Sequence, residues 1–206
     1  MSIVFAAICG YLLGSIPVGL LVGRLVRGVD VRDYGSGKTG FTNTLRVLGL
    51  RRSLPVFAGD FGKGMIATLL PLLYTDDPWA QAAGGLAAIA GHVWPVFAGF
   101  RGGRGVLTGA GALVALNPVA ALLVVPPALA ALLLTKYMSA TSIVACISAA
   151  LIFVAFAAFD LHDWAYAVAA CAGAALIVAL HKDNIARLLS GTEPKIGRGG
   201  ERRAPA

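Results

Sequence analysis

Between Tyr34 and Arg46 an otherwise apolar chain breaks into YGSGKTGFTNTLR, a run of glycines, hydroxyls, an amide and two cations. Backbone N–H groups freed by glycines such as Gly37 can form an anion-binding concavity, to which Ser36, Thr42 and Asn43 add polar groups. Arg46 follows with a planar fork of donors suited to gripping phosphate bidentately. A glycine-rich turn with solvated charges explains this loop alone equally well. A nucleotide-binding P-loop does not, because the glycine required five positions before Gly37 is replaced by Arg32.

A second break, GFRGGRG from Gly99 to Gly105, shifts the balance towards anion chemistry. It ends one apolar stretch and opens the next, so Arg101 and Arg104 flank Gly102 and Gly103 at a helix start, where free N–H groups favour negative charge. His92 lies seven residues before Gly99, inside the preceding helix. An ionisable group in a membrane span is a functional candidate by default, although a lone histidine there more often supports the structure. The third break, HKDNIARLLSGTEPK, puts His181, Asn184 and Arg187 at helical spacing on a shared face. Glu193 is expected to pair with an arginine and hold the tail down.

No Ser-His-Asp or Cys-His arrangement, metal-ligand spacing or pair of carboxylates is recognisable, so neither a metal nor a cofactor is called for. The three breaks suit phosphate binding better than the supply of a strong nucleophile. Cys9, Cys146 and Cys171 fall in apolar spans and read as small buried hydrophobes.

The elements that must position these residues are membrane helices. The chain has 206 residues, 58% apolar and 13% charged, whereas soluble domains carry about 25% charged residues. Helices are expected near residues 2–23, 53–74, 79–98, 139–158 and 163–180. The first of these lacks a preceding cation and reads as a retained helix, not a signal peptide. As one helix, residues 105–135 would run about 46 Å against a hydrocarbon core of roughly 30 Å, so a hairpin turning at Asn117-Pro118 is expected. That gives an all-α protein of seven transmembrane helices forming one domain over 1–206, with a short flexible basic tail at 198–206.

With the N-terminus outside and the C-terminus inside, all 17 Lys and Arg residues lie towards the cytoplasmic face, Lys63 at the start of the second helix included. The external turns carry Asp76, Asp77, Asp160 and Asp163 without a cation. The net charge of +7 thus belongs to one face, suited to anionic lipid and giving no sign of nucleic-acid binding.

Read together, GSIPVGLLVGR, DVRDYGSGKTGFTNTLRVLG, GHVWPVFAGFRGGRGVLT and HKDNIARLLSGTEPKIG resemble, in order and over nearly the whole chain, the bacterial acyl-phosphate:glycerol-3-phosphate acyltransferases, the PlsY family. The resemblance implies a seven-span enzyme of the bacterial inner membrane with its site on the cytoplasmic side. It also implies acyl transfer from acyl phosphate to glycerol 3-phosphate, giving lysophosphatidic acid and phosphate in the first acylation of phospholipid synthesis. Other enzymes of that synthesis are the partners it suggests.

On that pattern Ser36, Thr42, Asn43 and Arg46 match the first motif, and Arg101, Gly102, Gly103 and Arg104 the second, which holds glycerol phosphate. His181, Asn184 and Glu193 match the third, and Ser139 and Ser142 a further serine segment. Catalytic roles then fall to Ser36, Arg46, Arg104, His181 and Asn184. Because an acyl phosphate is already activated, its own phosphate oxygen can take the alcohol's proton. The chain departs from the family at Lys38, usually Asn; at Phe41, commonly Ala; and at Arg101 and Arg104, usually Lys. The rival reading, a transporter of phosphate or another anion, requires cations or helix ends at the midplane. The clustering of cations towards one face argues against it.

Overall fold

The computed structural model describes residues 1–203, and those residues contain eleven α-helices and no named strand. In order they are α1 (Ser2–Gly14), α2 (Val18–Arg27), α3 (Phe41–Leu48), α4 (Leu50–Leu69), α5 (Pro78–Val93) and α6 (Val106–Leu116). They continue as α7 (Pro118–Leu123), α8 (Val125–Thr135), α9 (Met138–Ala158), α10 (Trp164–Ala179) and α11 (Lys182–Leu189).

Four stretches are long and apolar enough to cross a membrane: Ser2–Arg27, Leu50–Leu73, Pro118–Thr135 and Met138–Ala158. Helices α10 and α11, bent by 58°, count as a fifth if taken as one span. At 16 and 11 residues, α5 and α6 run about 24 and 17 Å and fall short of a full crossing by length.

The sequence leads one to expect a continuous first helix over 2–23, whereas the helix breaks at Ser15–Pro17 and resumes to Arg27. Pro17 has no N–H to bond back, and the break exposes the Ile16 carbonyl, which accepts Lys63 Nζ at 3.0 Å. The helix expected over 79–98 likewise ends at Val93, two residues before Pro95. At Asn117 the backbone is extended, and its side chain caps α7 by accepting from Ala120 N at 3.0 Å. Asp77 and Asp163 cap α5 and α10 in the same way, so these carboxylates also serve as helix starts.

Small residues bring the helices together. A Cβ at Gly14 would lie 2.2 Å from Ala88 O, fixing α1 against α5, and one at Gly64 would lie 2.0 Å from Thr108 O, fixing α4 against α6. Phe153, fully buried, fills a core with Ala82, Leu116, Ala165 and Ala169. Leu122, Leu133, Leu134, Leu151 and Phe159 instead face outwards, as expected where the surroundings are lipid. Trp79, Trp94 and Trp164 are exposed at helix ends, the placement of interfacial tryptophans. Of the cysteines only Cys146 is buried; Cys171 is exposed on α10.

The start of the basic tail meets the first loop. Gly35 N donates to Glu201 O at 2.9 Å, and Arg203 N to Asp33 O at 2.8 Å, with an antiparallel bridge between Tyr34 and Arg202. Residues 199–203 therefore lie across the first glycine loop, and the rest of the tail, 204–206, falls outside the described residues.

Candidate functional site

The first loop is shaped by its glycines and by Asn43. Gly35 and Gly37 adopt φ of 52° and 67°, which side-chain-bearing residues rarely take. Asn43 Nδ2 donates to Val31 O, Lys38 O and Tyr34 O at 2.8, 2.9 and 3.1 Å, while its Oδ1 accepts Ser36 N at 2.9 Å. The buried amide is thus committed to folding the loop and holding Ser36. Arg32 locks this loop to the second break: it grips Asp30 with Nε and Nη2, at 3.0 and 2.7 Å, and donates Nη1 to Ala98 O at 2.9 Å.

In the second break Gly102 N and Gly103 N donate to Val93 O and His92 O at 3.2 and 3.1 Å, closing the end of α5. That turn delivers Arg104 and the N-terminus of α6. The third break begins at His181, whose Nδ1 lies 2.7 Å from Ile177 O. A carbonyl only accepts, so Nδ1 carries the proton and the neutral ring is left with Nε2 as an acceptor. Burial holds the imidazole below its usual pKa, against the raising effect of the Ile177 bond and with the charge of Arg104 adding to the depression.

These segments meet at one cavity of about 180 Å³. Ser36, Thr42, Asn43 and Arg46 line it from the first break, Arg104 from the second, and His181, Asn184 and Glu193 from the third. Ser139, Ser142 and His92 line it as well, as do the departures Lys38 and Phe41. Gly37, Arg101, Gly102 and Gly103 do not; Arg101 is exposed, and the two glycines are buried in the turn behind Arg104.

Several buried polar atoms on residues of this cavity have no hydrogen-bond partner among the described residues: Arg46 Nε, Arg104 Nε, Ser139 Oγ and Asn184 Oδ1. Leaving such groups unpaired costs roughly 1–3 kcal/mol each, which a ligand with matching oxygens and hydroxyls would recover. Burial lowers the pKa of Arg46, Arg104 and Lys38, and the charge of Arg104 adds to the effect at Lys38. The cavity therefore holds several cations close together in a partly desolvated place, an arrangement that favours a multiply charged anion. A second cavity of about 100 Å³, walled by apolar residues including Ile89, Leu113 and Gly173, shares Val106 with the first.

Sequence reasoning missed Asp60 and misplaced Lys63. Lys63 is buried within α4, where the Asp60 carboxylate neutralises it at 2.8 Å, so it is no part of the exposed charge of one face. The available signal was a carboxylate and an amine three residues apart inside an apolar stretch.

A family model described as glycerol-3-phosphate acyltransferase matches residues 4–191. The chain is 42% identical to the glycerol-3-phosphate acyltransferase of Parasynechococcus marenigrum over 188 residues, 91% of this chain and 87% of that protein. To the glycerol-3-phosphate acyltransferase of Halalkalibacterium halodurans it is 41% identical over 190 residues, 91% of this chain and 92% of the other.

Among crystal structures it is similar to PlsY (YgiH), an integral membrane glycerol 3-phosphate acyltransferase. Against the glycerol 3-phosphate form the TM-score is 0.86, at 40% identity over 96% of both chains. Against the lysophosphatidic acid form the TM-score is 0.84, at 39% identity over 95% of both. The order of the polar motifs, the all-helical membrane architecture and likeness along almost the whole length agree: this chain is an integral membrane protein of the glycerol-3-phosphate acyltransferase family.

Proposed function

We propose that this protein transfers an acyl group from acyl phosphate to a hydroxyl of glycerol 3-phosphate, giving 1-acyl-glycerol 3-phosphate and inorganic phosphate. The observation that carries the reading is the set of unpartnered atoms on Arg46, Arg104, Ser139 and Asn184 around one cationic cavity. Arg46 and Arg104 supply charge for phosphate oxygens, helped by the open N-terminus of α6, whose first residues Val106 and Leu107 line the same space.

His181 Nε2 and Asn184 Oδ1 are acceptors, and acceptors suit the glycerol hydroxyls, not phosphate. In the step itself the hydroxyl oxygen bonds to the acyl carbon and the acyl–phosphate bond breaks. The proton passes to the departing phosphate, so no strong protein base is required. The arginines stabilise the charge that gathers on phosphate and carbonyl oxygens. The apolar cavity that shares Val106 supports an acyl chain entering beside the polar site.

The same reading places the protein as a single domain in the bacterial inner membrane, with seven spans, an external N-terminus and a cytoplasmic site. Support comes from the uncharged or acidic turns at Asp76–Asp77 and Asp160–Asp163 opposite the cationic segments. Accessibility of single cysteines at positions 76 and 104 to an impermeant thiol reagent in right-side-out vesicles tests it. Labelling at 76 alone is expected, and labelling at 104 alone would overturn the orientation.

A further inference from the structure

In the wall of the polar cavity lies a charged cluster to which the reaction above gives no part. Asp60 on α4 is 1% exposed, its Oδ1 sits 2.8 Å from Lys63 Nζ, and His92 Nδ1 on α5 lies 3.4 Å from the same oxygen. Lys63 in turn donates to Ile16 O at the break between α1 and α2. A carboxylate of this depth is costly unless compensated, and Lys63 already balances its charge. His92 directs Nδ1 to the carboxylate, and the opposite edge of the ring, Nε2, points elsewhere.

That edge meets the second motif. A Cβ built on Gly103 would fall 2.1 Å from His92 Nε2, and 3.0 Å from both ring carbons beside it, so the ring edge packs directly on the Gly103 Cα. The main chain of the same residue also holds this turn, through the bond from Gly103 N to His92 O at 3.1 Å. On the other side, a Cβ on Gly40 in the first loop would lie 4.0 Å from Nε2. One imidazole therefore separates the two glycine loops, and its orientation is set from behind by Asp60.

We propose that Asp60 is a positioning residue: acting through the His92 ring, it sets the Gly102–Gly103 turn and so the placement of Arg104 and the α6 N-terminus. The proposal rests on the assignment of Arg104 and the α6 N-terminus to the phosphate of glycerol 3-phosphate. Asp60 lines the cavity wall, but Lys63 Nζ and His92 Nδ1 both lie against its Oδ1, so the carboxylate is engaged by protein groups and acts through the ring. Its contribution is to hold Arg104 in register for glycerol 3-phosphate, not to perform the chemistry.

The test uses the full-length, detergent-solubilised protein and two variants. Asp60→Asn combined with Lys63→Met removes both charges together and avoids stranding a buried cation. His92→Asn keeps a donor for Asp60 but deletes the ring edge under Gly103. In both, the KM for glycerol 3-phosphate is expected to rise about ten-fold or more, with the KM for the acyl donor and kcat changed by no more than about three-fold.

An unchanged KM for glycerol 3-phosphate in either folded variant overturns the proposal, as does an equal rise for both substrates. Loss of a monodisperse folded protein in both variants also overturns it, by assigning the cluster to stability alone. Absence of glycerol 3-phosphate acylation by the unsubstituted protein would instead refute the reaction itself, so the two failures are distinguishable.

Discussion

Asn184 donates Nδ2 to Glu193 Oε1 at 2.7 Å, which leaves the other end of its amide, Oδ1, unpartnered beside the cavity. The tail carboxylate thereby decides which end of a site amide faces the substrate. Arg187 Nε completes the arrangement by donating to Glu193 Oε2 at 2.7 Å. Burial would raise the pKa of Glu193, but its polar neighbours, Asn184 foremost and then Ser139 and Arg187, hold it below its ordinary value.

Replacing Glu193 by Ala therefore strands a buried amide donor and frees the Asn184 orientation. A loss of stability of roughly 2–3 kcal/mol is expected from the unpaired groups. Thermal unfolding in detergent, read beside the acylation rate, checks it. Glu193→Gln should retain more stability than Glu193→Ala and still lose activity, because a Gln amide no longer dictates the direction of Asn184.

Arg46 and Arg104 behave in the opposite sense, since their charges are partly desolvated and repel one another. Arg46→Ala and Arg104→Ala should each lower kcat/KM by about a hundred-fold or more while leaving the Tm unchanged or raised. Arg104→Lys keeps the charge but gives up the planar fork, so it should retain more activity than Arg104→Ala and less than the unsubstituted protein. Steady-state kinetics with glycerol 3-phosphate varied, together with thermal unfolding, separates the two effects; a falling Tm with intact kinetics would remove these residues from the site.

The depressed pKa of His181 makes a signed claim about acid. The unfolded chain takes up this proton first, near the ordinary 6.5, so the contribution of the neutral ring to stability is complete above that pH. It is lost as the pH falls from there through the folded-state value. Protonation also removes the acceptor at Nε2, so kcat/KM should decline on the acid side of the ordinary histidine range. The pH–rate profile checks this, and His181→Gln, itself slow, should lack that limb.

The strand-like contact of the tail with the first loop predicts an effect of truncation. Ending the chain after Arg198 removes the bonds from Gly35 N to Glu201 O and from Arg203 N to Asp33 O. The loop that carries Ser36 should loosen, and the KM for glycerol 3-phosphate should rise several-fold, about three to ten. The global Tm should barely move, because the tail buries little of the helical core. Kinetics of the truncated protein decide it.

The polar breaks were legible in the sequence because each interrupts a stretch that lipid would otherwise claim. Glycine, arginine and amide side chains have few reasons to cluster there, and the cavity they share follows from three such interruptions. Less legible was which face each group presents. Asn43 reads as a ligand donor, yet its amide is spent on Val31, Tyr34 and Lys38, a pattern that depends on where a folded loop puts its carbonyls. Gly102 and Gly103 read as anion donors, yet their N–H groups close α5. The break at Pro17 was foreshadowed by the proline itself, but its use, an open carbonyl for Lys63, required the packing of α4 against it. Asp60 was legible only as half of a pair with Lys63 three residues on, whereas its contact with His92 depends on how α5 packs against α4.

The central claim is tested most directly by giving the purified protein palmitoyl phosphate and glycerol 3-phosphate and measuring both products. Equimolar lysophosphatidic acid and inorganic phosphate are expected. No product from acyl phosphate, with turnover from an acyl thioester donor, would contradict the account of an already activated donor whose own phosphate takes the proton.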